Sequence, residues 1–474
     1  MPRSHTLTTI GPSMSKANRN IVIIGNGISG VTCARHIRKK DDSAQITIIS
    51  GETDHFFSRT ALMYIYMGHM KYEHTKPYED WFWEKNRINL KRAWVEKIDF
   101  EEKALIFSNK ESMTFDVLVL ATGSKPNKFG WPGQDLKGVQ GMYSYQDLEL
   151  MESNSKDISK AVIVGGGLIG IEMAEMLNSR KIPVTFLVRE KNFWDNILPL
   201  EESKMINRHI LEHHIDLRLE TELGEIIGDE SGKVKAIKTK AGEKIDCQFV
   251  GLTVGVSPNI EFLRTKPLES SENNKTIQTN RGIIVDMFFK TNIPDVYAIG
   301  DCAEFQEAPA TDRKNIEQVW YTGRMHGETL AFNLTSDKPV PYQPGVWFNS
   351  AKFFDIEYQT YGFVPPVWPE EYESLYWEDA GGKIAIRFLY GKSDMKIKGV
   401  NAFGWRLRHD YFDKAISEGW MFEKVLTHLN KASFNPEFFK SHHKAVLDHY
   451  NKQKGNSLKV HKISFFQKLI GSRT

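Results

Sequence analysis

The first half of the chain contains two similar units, each built from apolar strands, a glycine turn and a helix. In the first unit the strand, helix and second strand are predicted at residues 20–25, 27–40 and 45–50. In the second unit they are predicted at residues 160–165, 168–177 and 184–188. Continuous apolar strands are typical of parallel sheets that are covered on both faces. The pattern therefore predicts two doubly wound α/β domains.

The pattern changes after residue 339, where aromatic residues become dense and the glycine motifs end. Segments that alternate between apolar and polar positions, as antiparallel strands do, then follow at residues 346–354, 356–362, 373–379 and 383–391. Helical spacing comes next, at residues 410–430 and 435–450. We predict a C-terminal α+β interface domain over residues 338–452 and a basic tail over residues 453–474.

Length and composition describe an ordinary globular protein. A chain of 474 residues is too long to form a single hydrophobic core, and its length suggests about three domains. The 62 basic and 60 acidic residues nearly cancel, so we expect no nucleic-acid partner. The only cysteines, Cys33, Cys247 and Cys302, form no C-x-x-C pair, which predicts a reducing compartment and no metal site. Residues 1–20 are unlike a signal peptide, and no apolar run reaches about 18 residues, so we expect a cytoplasmic protein.

The first glycine turn has the G-x-G-x-x-G pattern of a dinucleotide-binding loop. Residues 25–30 are Gly25-Asn26-Gly27-Ile28-Ser29-Gly30. The first glycine permits the tight turn, the second lets the backbone approach a pyrophosphate, and the third lets helix and strand pack closely. The helix start then offers N–H groups to phosphate. Glu52 follows the second strand, within reach of a ribose hydroxyl pair. A purely structural turn is the competing interpretation.

The second glycine turn repeats the pattern and is followed by two carboxylates. Residues 165–170 are Gly165-Gly166-Gly167-Leu168-Ile169-Gly170, with Glu172 and Glu175 after them. Either carboxylate could simply be a partner of the helix dipole, and this interpretation fits Glu175 well. Glu172 lies one turn from the phosphate loop, near the position expected for a nicotinamide. We therefore predict a catalytic role for Glu172.

The end of the next strand bears on the choice of nicotinamide cofactor. An acidic residue there would bind an NAD ribose and repel a 2′-phosphate. The chain has Val188 at this position, followed by Arg189 and Glu190. Because Arg189 could hold a 2′-phosphate in charge-assisted bonds, NADPH is the favoured cofactor. Glu190 could instead accept hydrogen bonds from an NAD ribose, so NADH is the alternative cofactor.

Three further motifs resemble those of one superfamily. Residues 114–123 resemble the T-x-x-Y-D-x-L-x-x-A-T-G element, residues 291–301 the second FAD motif, and residues 255–259 the G-x-x-P-N bend. Together with the two glycine loops, they resemble the pyridine nucleotide–disulfide oxidoreductase superfamily over residues 19–335. The fold that this resemblance implies is an α/β protein with two Rossmann-like domains and a C-terminal α+β domain.

The resemblance also implies domain limits and cofactor contacts. An FAD-binding domain, residues 19–126 and 249–337, would contain an inserted NAD(P)-binding domain, residues 127–248. Asp301 would bind the flavin ribityl chain, Glu52 the adenosine ribose, and Val95 would flank the adenine. The other cofactor-binding residues that it implies are Gly25, Gly27, Ile28, Ser29, Gly30, Ala121, Thr122, Gly123, Gly165, Gly167, Leu168, Ile169, Gly170, Glu172, Arg189, Gly255 and Gly300.

The segment after Glu52 indicates a branch of the superfamily without a redox-active cysteine pair. Residues 55–62 contain no cysteine and resemble the Y-x-R-P-x-L run of ferredoxin, rubredoxin and nitrite reductase-like flavoproteins. Arg59 matches the arginine that lies near the flavin in that branch, which gives it an implied catalytic and cofactor-binding role. Thr60 replaces the proline, and Tyr64 stands where a lysine is frequent. Trp320 would cover the flavin ring, or would be a core residue.

The resemblance implies that FAD takes hydride from NAD(P)H and passes electrons to an acceptor, such as a ferredoxin or rubredoxin. One alternative is a membrane-surface NAD(P)H:quinone reductase, in which Lys462, Ile463, Phe465, Phe466, Lys468, Leu469 and Ile470 anchor the tail. Another is a non-catalytic flavin-binding scaffold. Relatives often pair through the C-terminal domain, so a homodimer is also an open expectation.

Overall fold

The computed structural model describes residues 18–264, 276–310, 313–434 and 440–461. The strands within these residues are β1 Asn20–Ile24, β2 Gln45–Ser50, β3 Ile88–Arg92, β4 Val95–Asp99, β5 Ala104–Phe107, β6 Ser112–Thr114, β7 Val117–Leu120, β8 Ser124–Pro126, β9 Val139–Gln140, β10 Ala161–Val164, β11 Val184–Leu187, β12 Asp216–Arg218, β13 Leu223–Gly228, β14 Val234–Thr239, β15 Lys244–Asp246, β16 Phe249–Leu252, β17 Val256–Pro258, β18 Ile283–Val285, β19 Val296–Ala298, β20 Ala303–Phe305, β21 Phe348–Phe353, β22 Ile356–Gly362, β23 Tyr372–Glu378, β24 Ala385–Gly391 and β25 Ile397–Phe403.

The α-helices within the same residues are α1 Ile28–Arg38, α2 Leu62–Tyr66, α3 Trp81–Lys85, α4 Tyr145–Asn154, α5 Leu168–Ser179, α6 Leu200–Glu212, α7 Trp320–Thr335, α8 His409–Ser417, α9 Phe422–Thr427 and α10 His443–Lys454. None of these helices is long and apolar enough to cross a membrane.

The chain forms two compact units, each made from three separate segments. The first unit comprises Met1–Phe57, Lys76–Ser124 and Pro258–Tyr342, and the second comprises Ser58–Thr75, Lys125–Ser257 and Gln343–Thr474. The order of segments along the chain therefore interleaves the two units, as expected when one domain is inserted into another. The exact domain limits that the sequence suggests stay predictions.

The first unit is built on a parallel sheet of five strands in the order β19-β7-β1-β2-β3. The central strand β1 is apolar at every position after Asn20 and is buried between its neighbours. A small antiparallel sheet, β4-β5-β6, belongs to the same unit. The predicted strands and helix at residues 20–50 are thereby confirmed.

Helices α1 and α7 pack closely against each other in this unit. A Cβ atom on Gly327 of α7 would lie 2.5 Å from the carbonyl oxygen of Ser29 in α1. A Cβ atom on Gly323 would approach the side chain of Ile28 to 3.2 Å. Because the first distance is shorter than real Cβ contacts, a glycine is required at position 327. The last helix of the unit therefore lies directly on the first.

The second unit contains a parallel sheet in the order β12-β11-β10-β16-β9 and an antiparallel sheet, β13-β14-β15. Its strand β10 and helix α5 correspond to the strand and the helix predicted at residues 160–177. Both doubly wound sheets that the hydrophobic pattern predicts are therefore present.

The C-terminal part of the second unit is an antiparallel sheet in the order β21-β22-β25-β24-β23, followed by helices α8 to α10. The four alternating segments of the sequence correspond to β21, β22, β23 and β24. The sequence prediction missed β25, which is central in the sheet and is buried at six of its seven positions. Its sequence, IKGVNAF, includes Gly399 and Asn401, residue types that are depleted in strands, so no strand pattern is visible there.

A buried ion pair joins this sheet to helix α6. The Arg387 guanidinium donates from Nε to Glu202 at 2.9 Å and from Nη2 to Glu201 at 2.7 Å. Arg387 and Glu202 are 2% and 0% exposed, respectively. Asn401 donates to the second oxygen of Glu202 at 2.9 Å, so both oxygens of this buried carboxylate are satisfied.

Candidate dinucleotide-binding sites

The residues that the resemblance assigns to FAD lie along one edge of the first sheet. Each follows the carboxyl end of a strand, where open parallel sheets bind their ligands. In the spatial order of the strands they are Asp301 after β19, Ala121 to Gly123 after β7, Gly25 to Gly30 after β1, Glu52 after β2 and Val95 after β3. The same order runs along a dinucleotide, with the ribityl chain, pyrophosphate, ribose and adenine in succession. The sheet therefore arranges the predicted contacts in a sequence that fits FAD.

The first glycine loop leaves space beside its backbone. Gly25 has a φ of 117°, and a Cβ atom there would lie 2.1 Å from the carbonyl oxygen of Ala121. A Cβ atom on Gly30 would lie 2.2 Å from the carbonyl oxygen of Gly25. A Cβ atom on Gly27 would meet nothing within 4 Å. Gly25 and Gly30 thus permit the turn and the packing, whereas Gly27 faces open space that a pyrophosphate fits.

The loop after β2 is tied to the glycine loop. Asn26 is buried and donates from Nδ2 to the carbonyl oxygen of Thr53 at 2.9 Å. The backbone N–H of Glu52 donates to Ser50 Oγ at 3.1 Å. These bonds hold the backbone of Glu52 beside the start of α1, where its carboxylate fits the predicted ribose contact. Val95 is half-buried at the start of β4 and packs against the core of the unit.

The second FAD motif ends at Asp301, whose carboxylate is held by a chain of side chains. Ser124 donates to Asp301 Oδ2 at 3.0 Å, and Gln318 Nε2 donates to Ser124 Oγ at 2.8 Å. Thr122 donates to the carbonyl oxygen of Asn259 at 2.7 Å. The sequence motifs include Asp301 and Thr122 but not Ser124, which directly follows the first motif, or Gln318, which lies 194 positions after Ser124.

A buried histidine supports the backbone at Gly300. Gly300 has a φ of 72°, and its N–H donates to Nδ1 of His326 at 3.1 Å. His326 is fully buried, and its Nε2 lies 3.4 Å from Glu317 Oε2, which also accepts from the hydroxyl of Tyr342 at 2.9 Å. Burial alone would raise the pKa of Glu317, but these bonds and the charge of Arg313 hold that pKa below its usual value. The network fixes the turn that presents Asp301.

The second glycine loop has the same geometry as the first. Gly165 has a φ of 116°, and a Cβ atom on Gly170 would lie 2.3 Å from the carbonyl oxygen of Gly165. A Cβ atom on Gly167 would meet nothing within 4 Å. Gly167 is the N-cap of α5, so Leu168 and Ile169 form the first turn, where free N–H groups favour phosphate.

Strand β16 completes this second edge. Thr253 follows β16 and donates from Oγ1 to the carbonyl oxygen of Val164 at 2.9 Å, which joins it to the strand before the glycine loop. Gly255 has a φ of 88°, a left-handed conformation that favours glycine. The bend predicted at residues 255–259 therefore begins next to the second glycine loop.

Two carboxylates and one lysine lie on the α5 side of this loop. Lys352 of β21 donates to Glu175 Oε1 at 2.6 Å, and its Nζ lies 5.5 Å from the centroid of the Tyr64 ring. The helix-dipole interpretation of Glu175 is wrong, because α5 begins at Leu168 and has no acidic residue in its first turn. Glu175 is instead a buried partner of Lys352.

The charges of Glu175 and Lys352 both act on Glu172. Burial, followed by the negative charge of Glu175, raises the pKa of Glu172 to about 7, against the opposing charge of Lys352. A carboxylate that titrates near neutral pH is typical of functional sites. The sequence prediction missed Lys352, because no local pattern connects a residue of the C-terminal sheet to the helix after the second glycine loop.

Arg189 follows β11 at the same edge of the sheet. Its Nε donates to Glu190 Oε1 at 2.7 Å, and its side chain is 74% exposed. Val188 is buried against the loop, so that a Cβ atom on Gly166 would meet its side chain at 2.7 Å. The arginine that would bind a 2′-phosphate is thus paired with the acid that would favour a ribose.

Arg59 and Trp320, which the resemblance assigns to the flavin, each contact an aromatic residue of the unit that contains them. In the second unit, Arg59 donates from Nη1 to the carbonyl oxygen of Tyr143 at 2.6 Å, and its guanidinium lies 4.5 Å from the centroid of the Tyr143 ring. In the first unit, Trp320 begins α7, is 37% exposed and contacts Tyr321 edge-on. Their roles toward flavin stay predictions.

The cysteines do not form a reactive pair. Cys33, Cys247 and Cys302 are all free and buried. Burial raises the pKa of each thiol, that of Cys247 to about 12. The thiols therefore stay protonated and unreactive at neutral pH.

Two dinucleotide cradles of this kind, one on each parallel sheet, define a protein that binds FAD and a nicotinamide dinucleotide. The profile of the pyridine nucleotide-disulphide oxidoreductase family matches residues 19–327. The chain belongs to this family. The resemblance stated from the motifs, the fold class and the general class of FAD-dependent NAD(P)H oxidoreductase are thereby confirmed.

Two relatives match well over half of the chain. It is 32% identical over 289 residues to the nitrite reductase [NAD(P)H] of Bacillus subtilis (strain 168), a match covering 60% of this chain and 34% of that protein. It is 26% identical over 357 residues to the ferredoxin–NAD(P)(+) reductase of Sphingomonas sp, covering 74% of this chain and 83% of that protein. This chain thus spans about a third of the length of the Bacillus relative.

Among solved structures, a ferredoxin reductase from Rhodopseudomonas palustris has the same fold, with a TM-score of 0.72 and 22% identity. The match covers 82% of this chain and 91% of that protein. The fold likeness extends beyond the two sheets, since the coverage exceeds the range that the family profile matches.

Proposed function

We propose that this protein is a reductase that takes hydride from NAD(P)H through FAD and delivers electrons to a small redox protein of ferredoxin or rubredoxin type. The main support is the order of Asp301, Thr122, Gly27, Glu52 and Val95 along one sheet edge, which follows the order of groups in FAD. The ferredoxin reductase among the relatives supports the type of acceptor. When bound, FAD would supply the hydride acceptor and the route for electrons to leave singly or in pairs.

Each group of residues has a separate task in this proposal. Asp301 accepts hydroxyl protons of the ribityl chain, with its orientation held by Ser124. Gly27 and Gly167 admit the two pyrophosphates to the helix starts. Glu172, as a carboxylate, stabilises the positive charge that develops on a nicotinamide as hydride leaves. No proton transfer is needed in that step, so the main contribution of the protein is to bind and orient the two dinucleotides.

The proposed nicotinamide cofactor is NADPH, with NADH as the alternative. Arg189 is exposed at the strand end where a 2′-phosphate would lie, which supports NADPH. Its ion pair with Glu190 would have to open for a phosphate to bind, and Glu190 alone could accept ribose hydroxyls. The choice between NADPH and NADH therefore depends on whether Arg189 or Glu190 of this pair contacts the dinucleotide.

Rapid-mixing reduction tests the first half of the reaction. The purified chain, saturated with FAD, is mixed without oxygen with NADPH or NADH, and flavin absorbance is followed. We expect bleaching within seconds with at least one of them. A colourless protein that cannot be reconstituted with FAD would refute the proposal. A yellow protein that neither nucleotide bleaches would instead be a non-catalytic scaffold.

An acceptor screen on the reduced protein tests the second half. Ferredoxin, rubredoxin and a soluble quinone are each mixed with it, and the return of flavin colour is timed. Fast reoxidation by an iron–sulfur protein is expected. Reoxidation by the quinone alone would favour the quinone reductase. The residues proposed to anchor that alternative, from Lys462 to Ile470, lie outside the described residues, so liposome co-sedimentation of the intact chain and a chain ending at Gly455 tests it directly.

A further inference from the structure

Helix α6 and the hairpin between β21 and β22 bring two histidines and an aspartate together in the second unit. His209 lies in the last turn of α6 and His213 is the C-cap residue four positions later, so the two side chains lie on the same face of the helix end. Asp355 occupies the two-residue turn that joins the paired residues Phe353 and Ile356. The three ligand atoms, one from each side chain, lie within 4.8 Å of one another.

Both imidazoles point at the same oxygen. His209 Nε2 lies 2.6 Å from Asp355 Oδ1, and His213 Nε2 lies 3.0 Å from that atom. The other oxygen of the carboxylate, Oδ2, accepts from Lys383 at 3.0 Å. The cluster therefore contains two nitrogens and one oxygen that converge, with a single cation on its outer side.

The contact between His209 and Asp355 lacks the geometry of a hydrogen bond. His209 is 1% exposed, and its Nε2 has no hydrogen-bond partner among the described residues despite the short distance. Its other nitrogen, Nδ1, lies 3.4 Å from Glu212 Oε2. An acceptor in that position favours the tautomer with the proton on Nδ1, in which the lone pair of Nε2 is directed at the carboxylate. In that tautomer the Nε2 lone pair and the carboxylate oxygen face each other, an arrangement that a bound cation would stabilise.

The ring of the second histidine is held in place. His213 stacks on Phe354, with ring centroids 4.1 Å apart and an angle of 9° between the planes. His213 and Asp355 are 31% and 56% exposed, respectively, so water can complete the coordination of an ion from the open side. Phe354 has a φ of 54°, which fixes the turn that presents Asp355.

We propose that His209, His213 and Asp355 form a binding site for a divalent transition metal ion such as Zn²⁺. Two imidazoles and one carboxylate, with an open fourth position, are a common zinc ligand set. Tetrahedral zinc with bonds of about 2.1 Å places its ligand atoms about 3.4 Å apart. The two nitrogen–oxygen distances, 2.6 and 3.0 Å, reach that spacing if the exposed side chain of Asp355 retreats by less than about 1 Å. The bound ion would fasten α6 to the β21–β22 hairpin.

The test uses the full-length protein with FAD, stripped of metal by a chelator and titrated with zinc against a chromophoric zinc indicator. We expect one equivalent to bind and the melting temperature of the protein to rise. His213→Phe keeps an aromatic ring against Phe354 but removes one ligand, and we expect it to bind zinc at least about tenfold more weakly. His214→Asn alters the neighbouring exposed histidine and is the matched control, with zinc binding unchanged.

A second variant tests the sign of the local charge. Lys383 holds the outer oxygen of Asp355, so its positive charge opposes a bound cation. Lys383→Gln is therefore expected to bind zinc several-fold more tightly than the unaltered protein. The proposal is overturned if the unaltered protein binds no zinc, or if it and His213→Phe bind zinc equally. Equal binding would place the ion elsewhere on the chain. Neither measurement depends on electron transfer, so the outcome is independent of the proposed function.

Discussion

Replacing two glycines of the second loop by alanine separates binding of the nicotinamide dinucleotide from folding. A methyl group on Gly167 would enter space that is free of protein atoms within 4 Å, and the φ of this residue is −114°, which alanine adopts easily. A methyl group on Gly170 would lie 2.3 Å from the carbonyl oxygen of Gly165. The first change therefore affects only a ligand, and the second affects the protein itself.

The size of each effect follows from these contacts. Forcing one methyl group into a packed contact costs about 1–3 kcal/mol. For Gly167→Ala this cost falls on the pyrophosphate contact, and because about 1.4 kcal/mol is tenfold in affinity, the dissociation constant rises about 5- to 150-fold. For Gly170→Ala the same cost falls on the free energy of unfolding of the second unit.

Binding and stability are measured separately. The affinity for oxidised dinucleotide is measured by calorimetry, and unfolding by urea titration, with FAD content as the control. Gly167→Ala should keep the FAD content and the unfolding midpoint while binding dinucleotide weakly. Unchanged affinity in Gly167→Ala would refute the assignment of this loop to the pyrophosphate. Unchanged stability in Gly170→Ala would contradict the packing described for α5.

Four further changes test individual side chains. Arg189→Glu should raise KM for NADPH far more than for NADH in steady-state assays; an equal change would remove the preference for NADPH. The rate of flavin reduction is expected to rise between about pH 6 and about pH 8, because Glu172, with a pKa of about 7, favours hydride loss only as a carboxylate. Glu172→Gln should abolish this rise. A rise that persists in the variant would show that another group titrates. Arg387→Met should cost about 3–5 kcal/mol of unfolding free energy, because Glu202 stays buried without its partner, and the double variant with Glu202→Leu should recover most of it. His326→Ala should weaken FAD binding by about 1–3 kcal/mol in a fluorescence titration, and unchanged affinity would show that the buried network does not support the site.

The parts of the fold that the sequence predicts are those in which one local signal determines the structure. Strand β1 and helix α1 follow from four apolar residues and a glycine pattern, and their limits agree with the prediction within two residues. The order of FAD contacts also follows, since each predicted residue comes directly after a strand of one parallel sheet. Strand β25 was missed, because its sequence includes Gly399 and Asn401, residue types that are depleted in strands.

The parts of the site that the sequence does not predict come from residues far apart in the chain. Lys352 contacts Glu175 from strand β21, 177 positions later in the chain. His326 contacts the backbone of Gly300 from helix α7. Glu175 was assigned to a helix dipole, although its partner in the structure is Lys352. Such pairs depend on how elements pack, and a pattern read along the chain contains no information about that.

The close packing of α7 on α1 constrains the order of events during synthesis of the protein. Ser29, at the end of α1 that is proposed to bind phosphate, lies under Gly327, almost 300 residues later, and Asp301 also comes late in the chain. A ribosome has thus released the entire intervening second sheet before the residues that complete the first cradle emerge. Until then the nascent glycine loop lacks the helix that covers it, so the first cradle is complete only when translation has passed the end of α7.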